Sequence, residues 1–181
     1  VDVGLLRFVQ GRPNEAEPLL RDGLQRMRRH LGNGDEDTIT AASNLGSLLS
    51  SSGRLDEAEL LLREAFDGRR ALHGEDHPST LMAANHLALL LGDAGRHAEA
   101  EPLLQQVLAG RRRVLGEDHP DTLVSINNLG MAMRDLRRWR EAEALFREAI
   151  ERRDRLFGPG HVETLVPQNN LGLLLTNVER H

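Results

Sequence analysis

Gly116-Glu117-Asp118-His119-Pro120-Asp121-Thr122-Leu123 is one of four versions of the same stretch in this chain. Glycine-to-threonine stretches run from Gly32 to Thr38, Gly74 to Thr80, Gly116 to Thr122 and Gly158 to Thr164, each starting 42 residues after the last. A second anchor keeps the same period. Glu-Ala-Glu stands at Glu15-Ala16-Glu17, Glu57-Ala58-Glu59, Glu99-Ala100-Glu101 and Glu141-Ala142-Glu143. Two anchors repeated at one spacing do not arise by chance. A period between about 20 and 50 residues marks stacked supersecondary units.

Each period holds two helical patterns. In the repeat around Thr80, helix A is predicted from Pro78 or Thr80 to Leu91, with proline in the first turn, where the missing N–H has no partner anyway. It stops at the turn signals Gly92-Asp93-Ala94-Gly95. Helix B runs from about His97 to Leu115 and stops at Gly116. Its first turn is acidic (Glu99, Glu101) and its last turn basic (Arg111, Arg112, Arg113), the order that complements the helix dipole. Small residues recur in helix A (Gly46, Ala88, Gly130, Gly172) and in helix B (Ala16, Ala58, Ala100, Ala142). They let two antiparallel helices approach closely, while Leu45, Leu87, Leu129 and Leu171 fill the seam beside them.

The predicted fold is all-α: a solenoid of antiparallel helix pairs, one array over residues 1–181, with units at about 1–37 (partial), 38–79, 80–121, 122–163 and 164–181 (partial). No strand is expected, and about seven full helices should follow a partial first one. Gly4 lies 42 residues before Gly46, which makes Val1–Gln10 the back half of a helix A. Thr164–Asn177 is a final helix A with no helix B after it, and the chain is expected to be a fragment of something longer.

Composition agrees. Aromatics make up 3% of the 181 residues, too few for an ordinary α/β enzyme core but enough for thin helical layers filled by Leu and Ala. The net charge is −5 with both signs mixed along the chain, which argues against a nucleic-acid partner. All 23 basic residues are Arg, a mark of genomic base composition. There is no Cys, so disulfides and thiolate chemistry are excluded. No apolar run approaches the roughly 20 residues of a membrane span, no leader is visible, and a cytoplasmic location is expected.

The stretch at 116–123, together with Asn127-Asn128-Leu129-Gly130 and Arg140-Glu141-Ala142-Glu143, resembles the tetratricopeptide repeats of kinesin light chains and related repeats of bacterial multidomain proteins. The 42-residue period favours that subgroup over the ordinary repeat of about 34 residues. The resemblance implies right-handed superhelical stacking with helix A lining a concave groove, which kinesin light chains use to hold extended cargo peptides. The sequence departs from the pattern at His86, Ser43 and Gly158-Pro159-Gly160-His161-Val162, and nothing in it corresponds to a motor-binding segment. The resemblance implies a binding fold, not a transport role.

At roughly 100° per residue, Ile39, Leu45, Gly46 and Leu49 fall within about 60° of Ala42 and face helix B. Thr40, Ser43, Ser47 and Ser51 fall on the far face, the predicted concave wall. Later repeats place Met82, Asn85 and Leu89 there, then Val124, Asn127 and Met131 with Arg134, then Val166, Asn169 and Leu173. An Asn rung thus lies between two apolar residues three times over, and Asn44, Asn128 and Asn170 lie at the edge of the same face. An amide both donates and accepts, so such a ladder can pair with the backbone of an extended peptide, while Met, Leu and Val take its apolar side chains. The alternative is that these Asn residues bond to neighbouring helices and fix the stacking. Both remain open for Asn44, Asn128 and Asn170, whereas ligand contact is favoured for Asn85, Asn127 and Asn169.

No catalytic, cofactor or metal site is expected. His77, His119 and His161 lie a full repeat apart and cannot converge on one ion; capping helix A is their expected role. The Glu pairs recur at a helix N-terminus in every repeat, unlike catalytic groups, which are unique. There is no phosphate-binding glycine loop. The function that follows is a scaffold binding a protein or peptide. The alternatives are an architectural or self-assembling spacer, associating through its truncated end repeats, and a sensor region of a larger signalling protein.

Overall fold

The computed structural model describes residue 10 and residues 12–178. The expected half-helix over Val1–Gln10 lies, but for its last residue, outside the described residues. Eight α-helices follow: α1 (Pro13–His30), α2 (Glu36–Ser51), α3 (Leu55–His73), α4 (Pro78–Asp93), α5 (His97–Leu115), α6 (Pro120–Asp135), α7 (Trp139–Phe157) and α8 (Val162–Val178). Among the described residues there is no strand. The last helix is as long as the others, so eight full helices stand where about seven were expected. The helices form two compact units, residues 1–94 with α1–α4 and residues 95–181 with α5–α8.

The repeated anchors explain the helix ends. Asp35 caps α2, its carboxylate accepting from the N–H groups of Asp37 and Thr38. One period on, the imidazole Nδ1 of His77, His119 and His161 accepts from the N–H of Ser79, Asp121 and Glu163 at 3.3, 3.1 and 3.3 Å. These histidines are helix caps, each satisfying an N–H that the helix leaves without a partner. The anchor threonines Thr38, Thr80, Thr122 and Thr164 are fully buried, and the Thr122 hydroxyl donates to the Gly116 carbonyl at 2.8 Å, closing the loop.

Within each unit consecutive helices pack together. In the first, Ile39 near the start of α2 meets Gly68 near the end of α3, and Gly46 meets Leu62 at their middles, so the pair is antiparallel. Ile39, Ala42, Leu45 and Leu49 are buried as the helical wheel requires. The close approach has a different partner from the one expected. A methyl group added at Gly130 would meet the Phe146 ring at 2.6 Å, so the small residue of helix A receives the large residue one turn beyond Ala142. Gly53 and Gly95 turn the chain between helices A and B with positive φ; at the equivalent point Arg137 adopts φ 60°.

Candidate functional site

The helices A predicted to line the binding wall are α2 and α4 in the first unit and α6 and α8 in the second, each unit carrying its own pair. Two columns with the repeat period dominate them. Positions 40, 82, 124 and 166 carry Thr40, Met82, Val124 and Val166. Positions 47, 89, 131 and 173 carry Ser47, Leu89, Met131 and Leu173. Met82 is 41% exposed, Val124 40%, Val166 56% and Leu173 50%; Leu89 is also exposed and Met131 half-buried. Large apolar side chains therefore meet solvent on each of these helices except α2, which presents hydroxyls. Arg134 lies half-buried beside them, its guanidinium on Asp135 at 2.8 Å.

The Asn columns are placed differently. Asn85, Asn127, Asn128 and Asn170 are buried, Asn44 is half-buried and Asn169 is exposed. Ser43, in the column of Asn85 and Asn127, is buried as well. Asn170 donates through its amide to the Asn127 side-chain oxygen at 2.9 Å, joining α8 to α6. A bond between neighbouring helices A is what the stacking alternative for these residues expects. A two-faced wheel neglects the flank of a helix, and in a stacked array that flank meets the next helix A.

In the first unit the wall is indented. Ser47, Ser50 and Ser51 of α2 face Leu89, Leu90 and Asp93 of α4 across a recess of about 310 Å³. The sequence offered no direct sign of a recess there.

Two arginine columns also escaped the sequence pattern, although both keep the period. Arg12, Arg54, Arg96 and Arg138 each stand three residues before the first glutamate of a Glu-Ala-Glu anchor. Arg54 pairs with Glu57 of its own helix and with Glu17 of α1; Arg138 pairs with Glu141 and with Glu101 of α5. The anchor thus supplies one carboxylate to its own repeat and one to the next, which accounts for the pair of glutamates in it. Arg21 and Arg54 hold Glu17 below the usual carboxylate range, and Arg54 followed by Arg21 does the same for Glu57.

The second column is Arg69, Arg111 and Arg153 near the ends of helices B. Arg111 donates to the Asp121 carbonyl and the Ser125 hydroxyl, and Arg153 to the Glu163 carbonyl. Arg69 reaches only the Thr40 hydroxyl, at 3.5 Å, and its other terminal nitrogen is buried without a partner. Burial pushes the pKa of all three below the ordinary arginine value, against the opposing charges of Glu36, Asp121 and Glu163.

Among the described residues no three His, Cys, Asp or Glu side chains gather to hold a metal, and no helix is long and apolar enough to cross a membrane.

Family models described as tetratricopeptide repeat match residues 6–37 and 38–79, and, for a second model, residues 61–112, 79–155 and 124–181. No curated protein sequence matches the chain. Solved structures do. The nearly identical TPR-like repeats assigned to a kinesin light chain of Podosopora anserina superpose with a TM-score of 0.88 at 22% identity, over 99% of this chain and 85% of that one. BtubC (BKLC) from P. vanneervenii gives 0.82 at 23% identity, over 97% and 70%. A Rap protein complexed with competence and sporulation factor gives 0.73 at 14% identity, over 98% and 47%. At such identities the likeness is one of fold.

Proposed function

Because the chain belongs to the tetratricopeptide repeat family, whose fold serves as a scaffold for protein–protein interaction, we propose that its helix-A wall holds an extended segment of a protein partner. One observation carries this: Met82, Val124 and Val166 recur at the repeat period with 40% or more of their surface exposed, alongside Leu89 and Leu173. Periodic apolar exposure on an amphipathic helix marks a surface that something covers. Met131 and the stem of Arg134 extend the contact on α6. Asn44 and Asn169, not fully buried, offer amides to a peptide backbone, while Asn85, Asn127, Asn128 and Asn170 set the helices at the spacing the segment reads. A binding role needs no catalytic group and no cofactor, and it suits a cytoplasmic chain.

The test is to select peptides by display on the whole chain and measure their affinity for wild type, Leu89→Asp and Val124→Asp. Both positions are solvent-exposed, so circular dichroism should be unchanged. Each substitution should weaken binding by about tenfold or more, the loss of one apolar anchor. Undiminished affinity with an intact fold would move the site off this wall.

A second reading, self-association, is favoured by α8. Leu165 is 53% exposed where its counterparts Leu81 and Leu123 are 1% and 0% exposed. On that reading sedimentation should show concentration-dependent association that Leu165→Glu abolishes; a monomer at every concentration would refute it.

A further inference from the structure

The recess between α2 and α4 carries a carboxylate, Asp93, and its lining holds no arginine or lysine; the one other titratable side chain there is His86 of α4. Asp93 has a counterpart one period on, Asp135. There the Arg134 guanidinium sits on the carboxylate at 2.8 Å, and His97 Nδ1 lies 3.8 Å away. Both cations are missing around Asp93. Gly92 stands where the repeat would place Arg134, and Leu55 where it would place His97. A methyl group built at Gly92 would meet nothing within 4 Å, so a side chain can start there without a clash. The opposite side of the recess is hydroxylic: Ser47, Ser50 and Ser51. Ser51 donates to the Leu48 carbonyl, which leaves its oxygen able to accept. Leu89 and Leu90 supply apolar walls.

We propose that this recess is the subsite for one basic side chain, arginine or lysine, of the bound segment. Apolar walls take the methylene stem, the Asp93 carboxylate takes the charged head, and the serine oxygens accept its remaining N–H bonds. The bound residue thereby supplies in trans the cation that Arg134 supplies within the second unit. A basic side chain fits better than an acidic or apolar one, because the charged wall is anionic and the polar wall is rich in acceptors. The proposal rests on the helix-A wall being the binding surface and adds the chemistry of one position on it.

The experiment uses peptides selected on the whole chain, each also made with its basic residue changed to Gln, and three variants. Wild type should enrich peptides with Arg or Lys at one fixed position. Asp93→Asn should weaken those peptides about tenfold and leave their Gln forms unchanged. Gly92→Arg should do the same, because the new side chain pairs with Asp93 and fills the space. Met82→Ala tests the wall alone and should weaken basic and Gln forms alike. Peptides sensitive to Met82→Ala but without a shared basic position would overturn the subsite and leave the wall standing. So would equal losses from the Gln change on wild type and on Asp93→Asn. A selection without binders, or with binders indifferent to Met82→Ala, would overturn the wall in this unit and the subsite with it.

Discussion

Gly130 shows what a single residue does in this architecture. Its missing side chain is the space into which Phe146 packs, at a contact no Cβ would tolerate. Gly130→Ala should therefore destabilise by about 1–3 kcal/mol, the usual cost of overpacking. Gly172 holds the same place in α8 and would meet nothing within 4 Å. There the change to Ala should stabilise by about 0.5–1 kcal/mol through helix propensity alone. Chemical denaturation of both variants checks the pair, and equal effects would mean that the seam is misplaced. The recurrence of small residues was legible in the sequence, but their partner was not, because periodicity shows that a surface is tight without showing which side chain fills it. The arginines near the ends of helices B give a second residue-scale contrast. Arg111 makes two bonds to neutral oxygens, while Arg69 leaves a buried nitrogen without a partner. Arg111→Met should cost about 1 kcal/mol. Arg69→Met should be neutral or stabilising, since it removes a poorly compensated buried charge.

At the scale of elements, helix ends were largely legible. Pro78, His97, Leu115 and Gly116 mark boundaries that the structure keeps, because capping and proline chemistry act locally. The flanks of the helices were not. Asn127 was placed on the face turned away from helix B, and there α8 lies against it through Asn170. Contact with the next helix A is a non-local fact that a wheel cannot contain. The Arg54 and Arg138 forks are also inter-element, and they bring a dependence on solution conditions. Glu17, Glu57 and Glu141 have folded-state pKa values lowered by their arginines. Their contribution to stability is therefore present above the ordinary carboxylate range and is lost as pH falls through the lowered folded values. Exposed pairs are also screened by salt. Arg54→Ala and Arg138→Ala should thus destabilise most at neutral pH and low salt. The gap from wild type should close in acid below the carboxylate range and at about 1 M salt, where screening acts within a few ångströms. A gap in melting temperature independent of both would assign these arginines a packing role instead.

At the scale of the molecule, the period alone announced a helical repeat, and the family match and the helices agree with it. The exposed apolar columns at 82, 124 and 166 and at 89 and 173 were legible too, because apolar residues on the polar side of an amphipathic pattern stand out in sequence. The recess at Asp93 was not, since a glycine and a leucine standing where the next repeat has cations leave no motif. The central claim is that a partner segment covers those columns. Methyl-selective NMR of the whole chain, titrated with a display-selected peptide, tests it most directly. The methyls of Met82, Leu89, Val124, Met131, Val166 and Leu173 should shift on binding. Those of Leu60, Leu72 and Val114, exposed on helices B, should stay in place. Shifts confined to the helix B methyls, with the helix A columns unmoved, would contradict the claim.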